Sequence, residues 1–184
     1  MNKKLLIVVD MVNGFVREGA MADSHIEHII PEIVNLVEKY EYENEKIIFI
    51  KDCHEKNSVE FESYPEHCLK GTNESELVEE LKKYENKFNC YEKNSTSAMF
   101  AKGFLDNING INELKQVTIV GCCTDICVLN LAIPLKNYFN QENKNIEIIV
   151  PKNAVETFNS DAHNRDEYNE IAFKLLVQAG IKLI

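Results

Sequence analysis

Residues 121–132 read GCCTDICVLNLA, and the rest of the chain can be interpreted around them. The preceding segment 116–120 (QVTIV) is β-branched and apolar, which predicts a buried strand, and segment 128–139 has the apolar face of a helix. The turn between them presents backbone N–H groups and the positive end of the helix dipole. We expect Thr124 to cap this helix, so Cys127 should lie in its first turn with a lowered thiol pKa. Cys127 is therefore a candidate nucleophile, and the alternative is a small, inert, buried residue.

Composition restricts the class of protein. The chain has 184 residues, 45% hydrophobic and 27% charged, which predicts one globular domain over residues 1–184. Its formal net charge of −10 argues against a nucleic-acid partner, and no apolar run approaches the about 20 residues of a membrane span. Since no secretory signal pattern is present, we expect a cytoplasmic protein with reduced cysteines. A disulfide between the adjacent Cys122 and Cys123 would be strained and is disfavoured.

Apolar runs alternate with amphipathic segments along the chain. Predicted strands lie at 5–10, 46–52, 88–93, 116–120, 145–151 and 181–184. Predicted helices lie at 24–40, 74–84, 128–139 and 167–180, with a short helix and turn at 103–114. This alternation predicts a three-layer α/β/α fold with a mainly parallel central sheet. His25, His28 and His163 lie in loops or near helix starts, where we expect solvated side chains, with helix capping as a second option for His163.

Charged residues stand at the ends of three predicted strands. These are Asp10, Asp52 and Lys93. Because the carboxyl ends of parallel strands meet at one edge of a sheet, we expect all three to lie close to Cys127. A thiol nucleophile needs a base, which Asp10 can provide, and a lysine can hold that acid in place.

The long polar loop after the second predicted strand is a second candidate site, because long loops without secondary structure are usually functional. It contains Asp52, His54 and His67, of which the first two are two residues apart and should project from the same face of a strand end. Two imidazoles and a carboxylate can bind Zn, Fe or Mn. The spacing alone leaves open three unrelated polar residues, and also thiolate ligands from Cys53 and Cys68.

Four motifs in this order resemble the isochorismatase-like cysteine hydrolases, and within that family the nicotinamidase branch. They are IVVDMVNGF at 7–15, DCH at 52–54 with YPEHCLKGTNESEL at 64–77, YEKNSTSAMF at 91–100, and GCCTDICVLNLA at 121–132. The resemblance covers nearly the whole chain and implies the isochorismatase-like hydrolase fold. The metal-loop motif together with the last motif is the specific part of the resemblance.

The resemblance assigns roles to the residues at the strand ends. It implies that Cys127 is the nucleophile, that Asp10 is the base, and that Lys93 orients and supports this pair. The family has a cis peptide bond in the Gly-x-x-Thr turn, which here falls between Cys122 and Cys123. The backbone N–H groups of Cys123 and Cys127 are accordingly expected to form an oxyanion hole.

The same resemblance implies a divalent metal as cofactor. Its ligands would be Asp52, His54 and His67, with zinc expected and iron or manganese as alternatives. Water molecules or a further acid would complete the shell, and Glu62 is preferred to Glu60 as that acid.

The substrate pocket is also implied by the resemblance. In nicotinamidases the metal holds the pyridine nitrogen and aromatic side chains sandwich the ring, and Phe15 and Tyr64 match two of those aromatic positions. The chain departs from the family where Val12 replaces a common Gln and where Thr96 replaces a common aromatic. The second departure opens one side of the expected pocket.

The resemblance implies a metal-assisted cysteine amidohydrolase that acts on a small-molecule amide through a Cys127 thioester. Nicotinamide is the first expectation, with nicotinate and ammonia as products and a place in NAD salvage, and a homo-oligomer is expected. One alternative is a related hydrolase acting on another small amide, an N-carbamoyl compound or an enol ether. Another is a non-catalytic binding module that kept the fold.

Overall fold

The computed structural model describes residues 3–184, and a parallel sheet forms its centre. The strands are β1 (Lys4–Val9), β2 (Lys46–Asp52), β3 (Asn89–Lys93), β4 (Gln116–Cys122), β5 (Glu147–Val150), β6 (Val155–Glu156) and β7 (Lys182–Leu183). Their order across the sheet is β3-β2-β1-β4-β5-β7, with β6 paired to the far end of β4, and every pairing is parallel. Together with the helices on its two faces, this sheet confirms the expected three-layer α/β/α fold.

Helices cover both faces of the sheet because the side chains of a strand alternate between them. The helices are α1 (Asn13–Val16), α2 (Ile30–Tyr42), α3 (Glu79–Lys82), α4 (Phe104–Asn109), α5 (Leu129–Gln141) and α6 (Arg165–Gln178). Leu5, Ile7 and Val9 of β1 pack in the core with α4, α5 and α6, whereas Leu6 and Val8 pack with α2 and α3. Within residues 3–184, no helix has the length and apolar character to cross a bilayer.

Strand register brings the predicted site residues to one edge. Val9, the last residue of β1, pairs with Ile50 on one side and with Gly121 on the other. Asp52 and Lys93 are direct partners at the ends of β2 and β3. The chain segments that carry the candidate base, lysine, metal ligands and nucleophile therefore begin from neighbouring strand ends.

Gly121 permits the close approach of β4 and β1. Its φ is +116°, in a region that favours glycine, and a Cβ atom at this position would lie 1.9 Å from the carbonyl oxygen of Val9. No side chain can be accommodated at that distance. A glycine is therefore required where β4 leads into the cysteine segment.

The start of the cysteine-bearing helix differs from the sequence expectation. Thr124 is not its cap: Cys123 takes the N-cap position without a side-chain hydrogen bond, and the Thr124 hydroxyl has no partner among the described residues. A π-helical turn, Thr124–Val128, precedes α5, which continues through Pro134. The strand-to-helix geometry was predictable, but the wider first turn was not.

The other differences concern element ends. The predicted helix 24–40 begins as a 3₁₀ helix, Ser24–Ile29, and becomes α-helical at α2, where Pro31 lies in the first turn. The predicted helix 74–84 shortens to α3, whereas the short helix and turn expected at 103–114 are present as α4 and the turn that follows it. The two-residue β6 has no clear sequence signal.

Candidate active site

Lys93 connects the residues that converge at the carboxyl edge of the sheet. Its ammonium nitrogen lies 2.7 Å from Oδ1 of Asp52, 2.9 Å from Oδ2 of Asp10 and 3.6 Å from Sγ of Cys127. All four side chains are buried. The structure thus brings the three predicted catalytic residues together and joins them to the predicted metal ligands through one lysine.

Charge compensation explains why Lys93 can be buried. Burial alone would lower its pKa, but the carboxylates of Asp10 and Asp52 raise the pKa well above its usual value. Burial would likewise raise the pKa of Asp52, yet Lys93 and the two histidines that contact this carboxylate hold it well below its usual range. Lys93 and Asp52 are therefore charged at neutral pH.

Asp10 differs from Asp52 because it has fewer partners. Burial raises the pKa of Asp10 to about 6; Lys93 opposes this shift and the charge of Asp52 adds to it. Its Oδ1 has no hydrogen-bond partner among residues 3–184. Asp10 is therefore ionised at neutral pH, close to its titration point, and has an oxygen free to accept a proton.

The pKa of the Cys127 thiol is raised, whereas the sequence predicted a lowered pKa. Burial raises the pKa of Cys127 well above its usual value, and the nearby carboxylates of Asp10 and Asp52 add to this, while Lys93 opposes it. Burial and two negative charges raise the thiol pKa by more than the positive end of the helix dipole could lower it. The resting site holds a protonated thiol beside an ionised acid, so proton transfer has to accompany any attack by sulfur.

The turn before the candidate nucleophile, Cys127, has the backbone form that the resemblance implies. The peptide bond between Cys122 and Cys123 is cis. The thiol of Cys122 donates to the carbonyl oxygen of Asp10 at 3.1 Å, and both cysteines are free thiols. The expectation of two reduced neighbours rather than a disulfide agrees with this structure.

The predicted metal ligands of the polar loop also meet. Oδ2 of Asp52 lies 2.9 Å from Nε2 of His54 and 3.0 Å from Nε2 of His67. The other ring nitrogens are held by the protein: Nδ1 of His67 donates to the carbonyl oxygen of Pro65 at 2.7 Å, and Nδ1 of His54 donates to Oδ1 of Asn94 at 3.0 Å. Such contacts at Nδ1 fix the orientation of an imidazole whose Nε2 binds a metal.

The chemistry of these donors fits a divalent cation. Because each Nδ1 contacts an acceptor of the protein, Nε2 is the ring atom that each imidazole can offer to a metal ion, and Oδ2 of Asp52 lies beside both Nε2 atoms. A divalent cation bound there would replace a proton as the shared partner of these atoms. Four side chains could hold such an ion, because their ligand atoms lie within 4.8 Å of one another: Asp52, His54, Glu60 and His67. We call these four residues the buried cluster.

The acid in the buried cluster is Glu60, whereas the sequence analysis preferred Glu62. Both acids lie on the 3₁₀ helix Val59–Glu62, where residues two apart point in different directions. Oε1 of Glu60 lies 4.0 Å from Nε2 of His54, whereas Glu62 is exposed to solvent. The cluster includes neither Cys53 nor Cys68, so the thiolate alternative is not the arrangement found.

A small cavity opens beside Cys127 and the buried cluster. Both predicted pocket aromatics are present: Phe15 lies 5.5 Å and Tyr64 6.3 Å from His67, measured between ring centroids. Thr96 also lines the cavity, together with Met21 and Ile126, which the sequence analysis did not identify.

Phe61 is another residue that the sequence analysis missed. Its ring centroid lies 5.2 Å from that of His54 and 5.6 Å from that of His67. It therefore packs against both imidazoles of the buried cluster. Its position one residue after Glu60 in the metal loop was the available signal.

His163 is buried, not solvated as the sequence suggested. Its Nε2 lies 2.8 Å from Oδ2 of Asp125, its Nδ1 donates to the carbonyl oxygen of Phe158 at 3.0 Å, and its ring stacks between Phe158 and Tyr168. Asp125 belongs to the π-helical turn that carries Cys127. His163 thus connects this turn to the segment that leads into α6.

The fold and this site define a three-layer α/β/α protein with a thiol, an acid and a lysine at the carboxyl edge of its parallel sheet. The isochorismatase domain model matches residues 4–182. An uncharacterised isochorismatase family protein, PncA, of Bacillus subtilis (strain 168) is 32% identical over 172 residues, covering 88% of this chain and 90% of that protein. The chain therefore belongs to the isochorismatase family, which confirms the resemblance drawn from its motifs.

Solved structures agree with this assignment. The crystal structure of nicotinamidase PncA from Bacillus subtilis has a TM-score of 0.83 at 26% identity and covers 98% of both chains. The crystal structure of pyrazinamidase of Pyrococcus horikoshii in complex with zinc has a TM-score of 0.77 at 23% identity, covers 99% of this chain and 98% of that one, and shows the shared fold.

Proposed function

We propose that this protein is a metal-assisted cysteine amidohydrolase, with nicotinamide as the first substrate to consider. The observation that carries the proposal is the convergence of Cys127 and Asp10 on Lys93, at 3.6 Å and 2.9 Å from its ammonium nitrogen. A thiol, an acid with a free oxygen and a fixed positive charge are the parts of nucleophilic catalysis by cysteine. The similarity to nicotinamidase PncA of Bacillus subtilis supports a carboxamide as substrate.

The first step is attack on the amide. Asp10 takes the thiol proton as Sγ of Cys127 bonds to the carbonyl carbon, which forms a tetrahedral oxyanion. The raised pKa of Asp10, about 6, lets it receive this proton at little cost and return it near neutral pH. Lys93 stays charged throughout and keeps the acid in place.

The second step releases ammonia and then the acid product. Asp10 returns its proton to the leaving nitrogen, the C–N bond breaks, and the acyl group remains as a thioester on Cys127. Asp10 then accepts a proton from water, whose oxygen attacks the thioester carbonyl. The C–S bond breaks, the carboxylic acid is released, and Asp10 returns the proton to Sγ of Cys127, which restores the resting site. We assign stabilisation of both oxyanions to the backbone N–H groups of Cys123 and Cys127, in the turn that contains the cis peptide bond.

The buried cluster would position the substrate. Asp52, His54, His67 and Glu60 would hold the divalent metal, which when bound supplies a Lewis acid for a ring nitrogen of a heteroaromatic amide. Zinc suits two imidazoles and carboxylates, and iron or manganese would also be accepted. Phe15 and Tyr64 would contact the ring, and nicotinate formed in this way would enter NAD salvage.

A second candidate function is hydrolysis of another small amide on the same catalytic residues. Thr96 lines the cavity at the position where the family commonly has an aromatic side chain. The smaller side chain leaves room for a substrate of a different shape. This alternative keeps the roles of Cys127, Asp10 and Lys93 and changes only the group recognised.

The test is ammonia release from a panel of amides, with nicotinamide first and N-carbamoyl compounds included. We expect the wild-type protein to act on at least one carboxamide, the Cys127→Ala variant to have no activity, and Cys90→Ser to retain it, since Cys90 lies on β3 outside the cavity. Mass spectrometry after rapid acid quench should show the acyl group on the Cys127 peptide. Full activity in Cys127→Ala would refute the mechanism.

A further inference from the structure

A second group of histidines and a carboxylate lies outside the active site. It comprises His25, His28 and Glu156, and we call it the surface cluster. Nε2 of His25 and Nε2 of His28 each lie 3.5 Å from the same oxygen, Oε2 of Glu156. The surface cluster shares no residue with the buried cluster.

Local structure places the two imidazoles side by side. His25 and His28 lie on the 3₁₀ helix Ser24–Ile29, and residues three apart are eclipsed in a helix with three residues per turn. Their ring centroids are 4.6 Å apart. The helix start is fixed by Asp23, whose carboxylate accepts the backbone N–H of His25 and pairs with Arg165 of α6.

Glu156 is fixed from the opposite side. It lies on β6, paired with Cys122 of β4, and its Oε1 accepts the N–H of Thr157 at 2.8 Å and the amide of Asn169 at 2.6 Å. Oε2 is left to face the histidines. The side chain of Glu156 is 9% exposed, whereas each imidazole is 50% exposed, so the carboxylate is held rigidly beneath two rings that solvent can reach.

Two atoms that face this gap are left available to a metal ion. Nδ1 of His28 faces the carbonyl oxygen of His25 and donates to it, so Nε2 is the ring nitrogen that can bind a metal. Oε2 of Glu156 is the carboxylate oxygen that the bonds from Thr157 and Asn169 leave free. A distance of 3.5 Å exceeds the about 2.7–3.2 Å of an N–H···O hydrogen bond, so these contacts are not a completed hydrogen-bond network.

The spacing fits a tetrahedral metal ion. With metal–ligand distances of about 2.0–2.2 Å and an angle of about 109°, two ligand atoms are separated by about 3.3–3.6 Å. Both nitrogen–oxygen distances in the surface cluster agree with this value, and the three ligand atoms lie within 4.8 Å of one another. We propose that His25, His28 and Glu156 form a second metal site, which binds a divalent transition-metal ion with water completing the shell.

The ligand type defines the class of ion. Two imidazoles and one carboxylate suit Zn²⁺, Co²⁺, Ni²⁺ and Cu²⁺. Ca²⁺ and Mg²⁺ prefer shells made of oxygen atoms and should not bind here. Bound metal connects the segment before α2 to β6 and stabilises the folded state, because the unfolded chain does not hold these three ligands together.

The experiment measures zinc stoichiometry rather than activity. Protein stripped with a chelator is dialysed against buffered Zn²⁺, and metal per chain is determined by plasma mass spectrometry. We expect the wild-type protein to bind one more Zn²⁺ per chain than the His28→Gln and Glu156→Gln variants. The affinity of the extra site should fall at least about 100-fold in each, since even the loss of a residue that only orients a metal ligand costs about 10–100-fold.

Controls separate this site from the active site and from general surface binding. Glu170→Gln changes an exposed acid on α6 next to Asn169, and this variant should bind as much zinc as the wild-type protein. His28→Gln changes a half-exposed side chain, and Zn²⁺ should raise its melting temperature less than that of the wild type. Equal zinc content in wild type, His28→Gln and Glu156→Gln, or loss of the same zinc in Glu170→Gln, would overturn the proposal.

Discussion

The buried cluster and the surface cluster both consist of imidazoles and carboxylates, but the surroundings of these groups differ. In the buried cluster, the imidazole nitrogens lie 2.9 and 3.0 Å from Asp52, whose other oxygen accepts from Lys93 at 2.7 Å. In the surface cluster, both nitrogens lie 3.5 Å from Glu156, and the imidazoles are 50% exposed. The first cluster is compensated by protein charge, whereas the second leaves a gap open to solvent.

This difference shows what burial adds to a histidine–carboxylate group. Water can screen the two half-exposed imidazoles of the surface cluster, so either histidine can be lost at a small cost in stability. The charges of the buried cluster depend on one another, because each would be costly without its partner. The same dependence extends through Lys93 to Asp10 and Cys127, and it sets the pKa values on which the proposed chemistry relies.

Matched carboxylate-to-amide changes give the largest expected contrast. Asp52→Asn removes the charge that compensates Lys93 and both histidines, so we expect a loss of about 3–5 kcal/mol in the free energy of unfolding and no detectable amidase activity. Glu156→Gln keeps an acceptor for Asn169 and should cost about 1 kcal/mol or less with activity retained. Urea denaturation of metal-free protein measures both, and equal losses would remove the distinction between the clusters.

The pH dependence of activity tests the charge coupling in the buried region. The proposed base has to be ionised, and the pKa of Asp10 is raised from 3.8 to about 6. The rate constant kcat/KM should therefore fall about tenfold per pH unit once the pH drops below about 6. His28→Gln should give the same profile as the wild type. Activity that stays constant down to the ordinary carboxyl range would show that Asp10 is not the base.

The part of the candidate active site that could be predicted from sequence lies at the ends of the strands. Asp10, Asp52 and Lys93 follow apolar runs, and the geometry of a parallel sheet places the ends of such runs at one edge. The motifs of the chain then gave the family and the order of the elements. These features depend on local sequence and on a general rule of topology.

What could not be predicted depends on contacts between distant segments. The choice of Glu60 over Glu62 follows from the direction of one 3₁₀ turn. The pairing of His25 and His28 with Glu156 needs the position of β6, which is too short to give a sequence pattern. The raised pKa of Cys127 reflects burial beside two carboxylates, whereas the sequence rule considered only the helix start.

The alkylation rate of Cys127 tests whether the neighbouring carboxylates raise its pKa. We expect a smaller change in this rate than in the pH dependence of kcat/KM. Asp10 raises the pKa of the Cys127 thiol, so removing its charge should lower that pKa and increase the thiolate fraction. Asp10→Asn should therefore react with iodoacetamide at Cys127 faster than the wild type, by up to about tenfold at a fixed pH, although it loses amidase activity. Peptide mapping by mass spectrometry gives the rate, with Cys90 as the internal control. A slower reaction in the variant would mean that Asp10 favours the thiolate in the resting site.

The smallest effect is expected for histidine substitutions in the absence of metal, and it separates the clusters most cleanly. His28→Gln removes a half-exposed ring whose contact with Glu156 is 3.5 Å, so the free energy of unfolding should change by about 0.5 kcal/mol or less. His67→Gln removes a buried ring that contacts Asp52 at 3.0 Å and should cost about 1–3 kcal/mol. Urea denaturation in the presence of a chelator compares the two. A loss in His28→Gln as large as that in His67→Gln would mean that the surface cluster is held together by its own contacts, and that it does not need an ion to join its ligands.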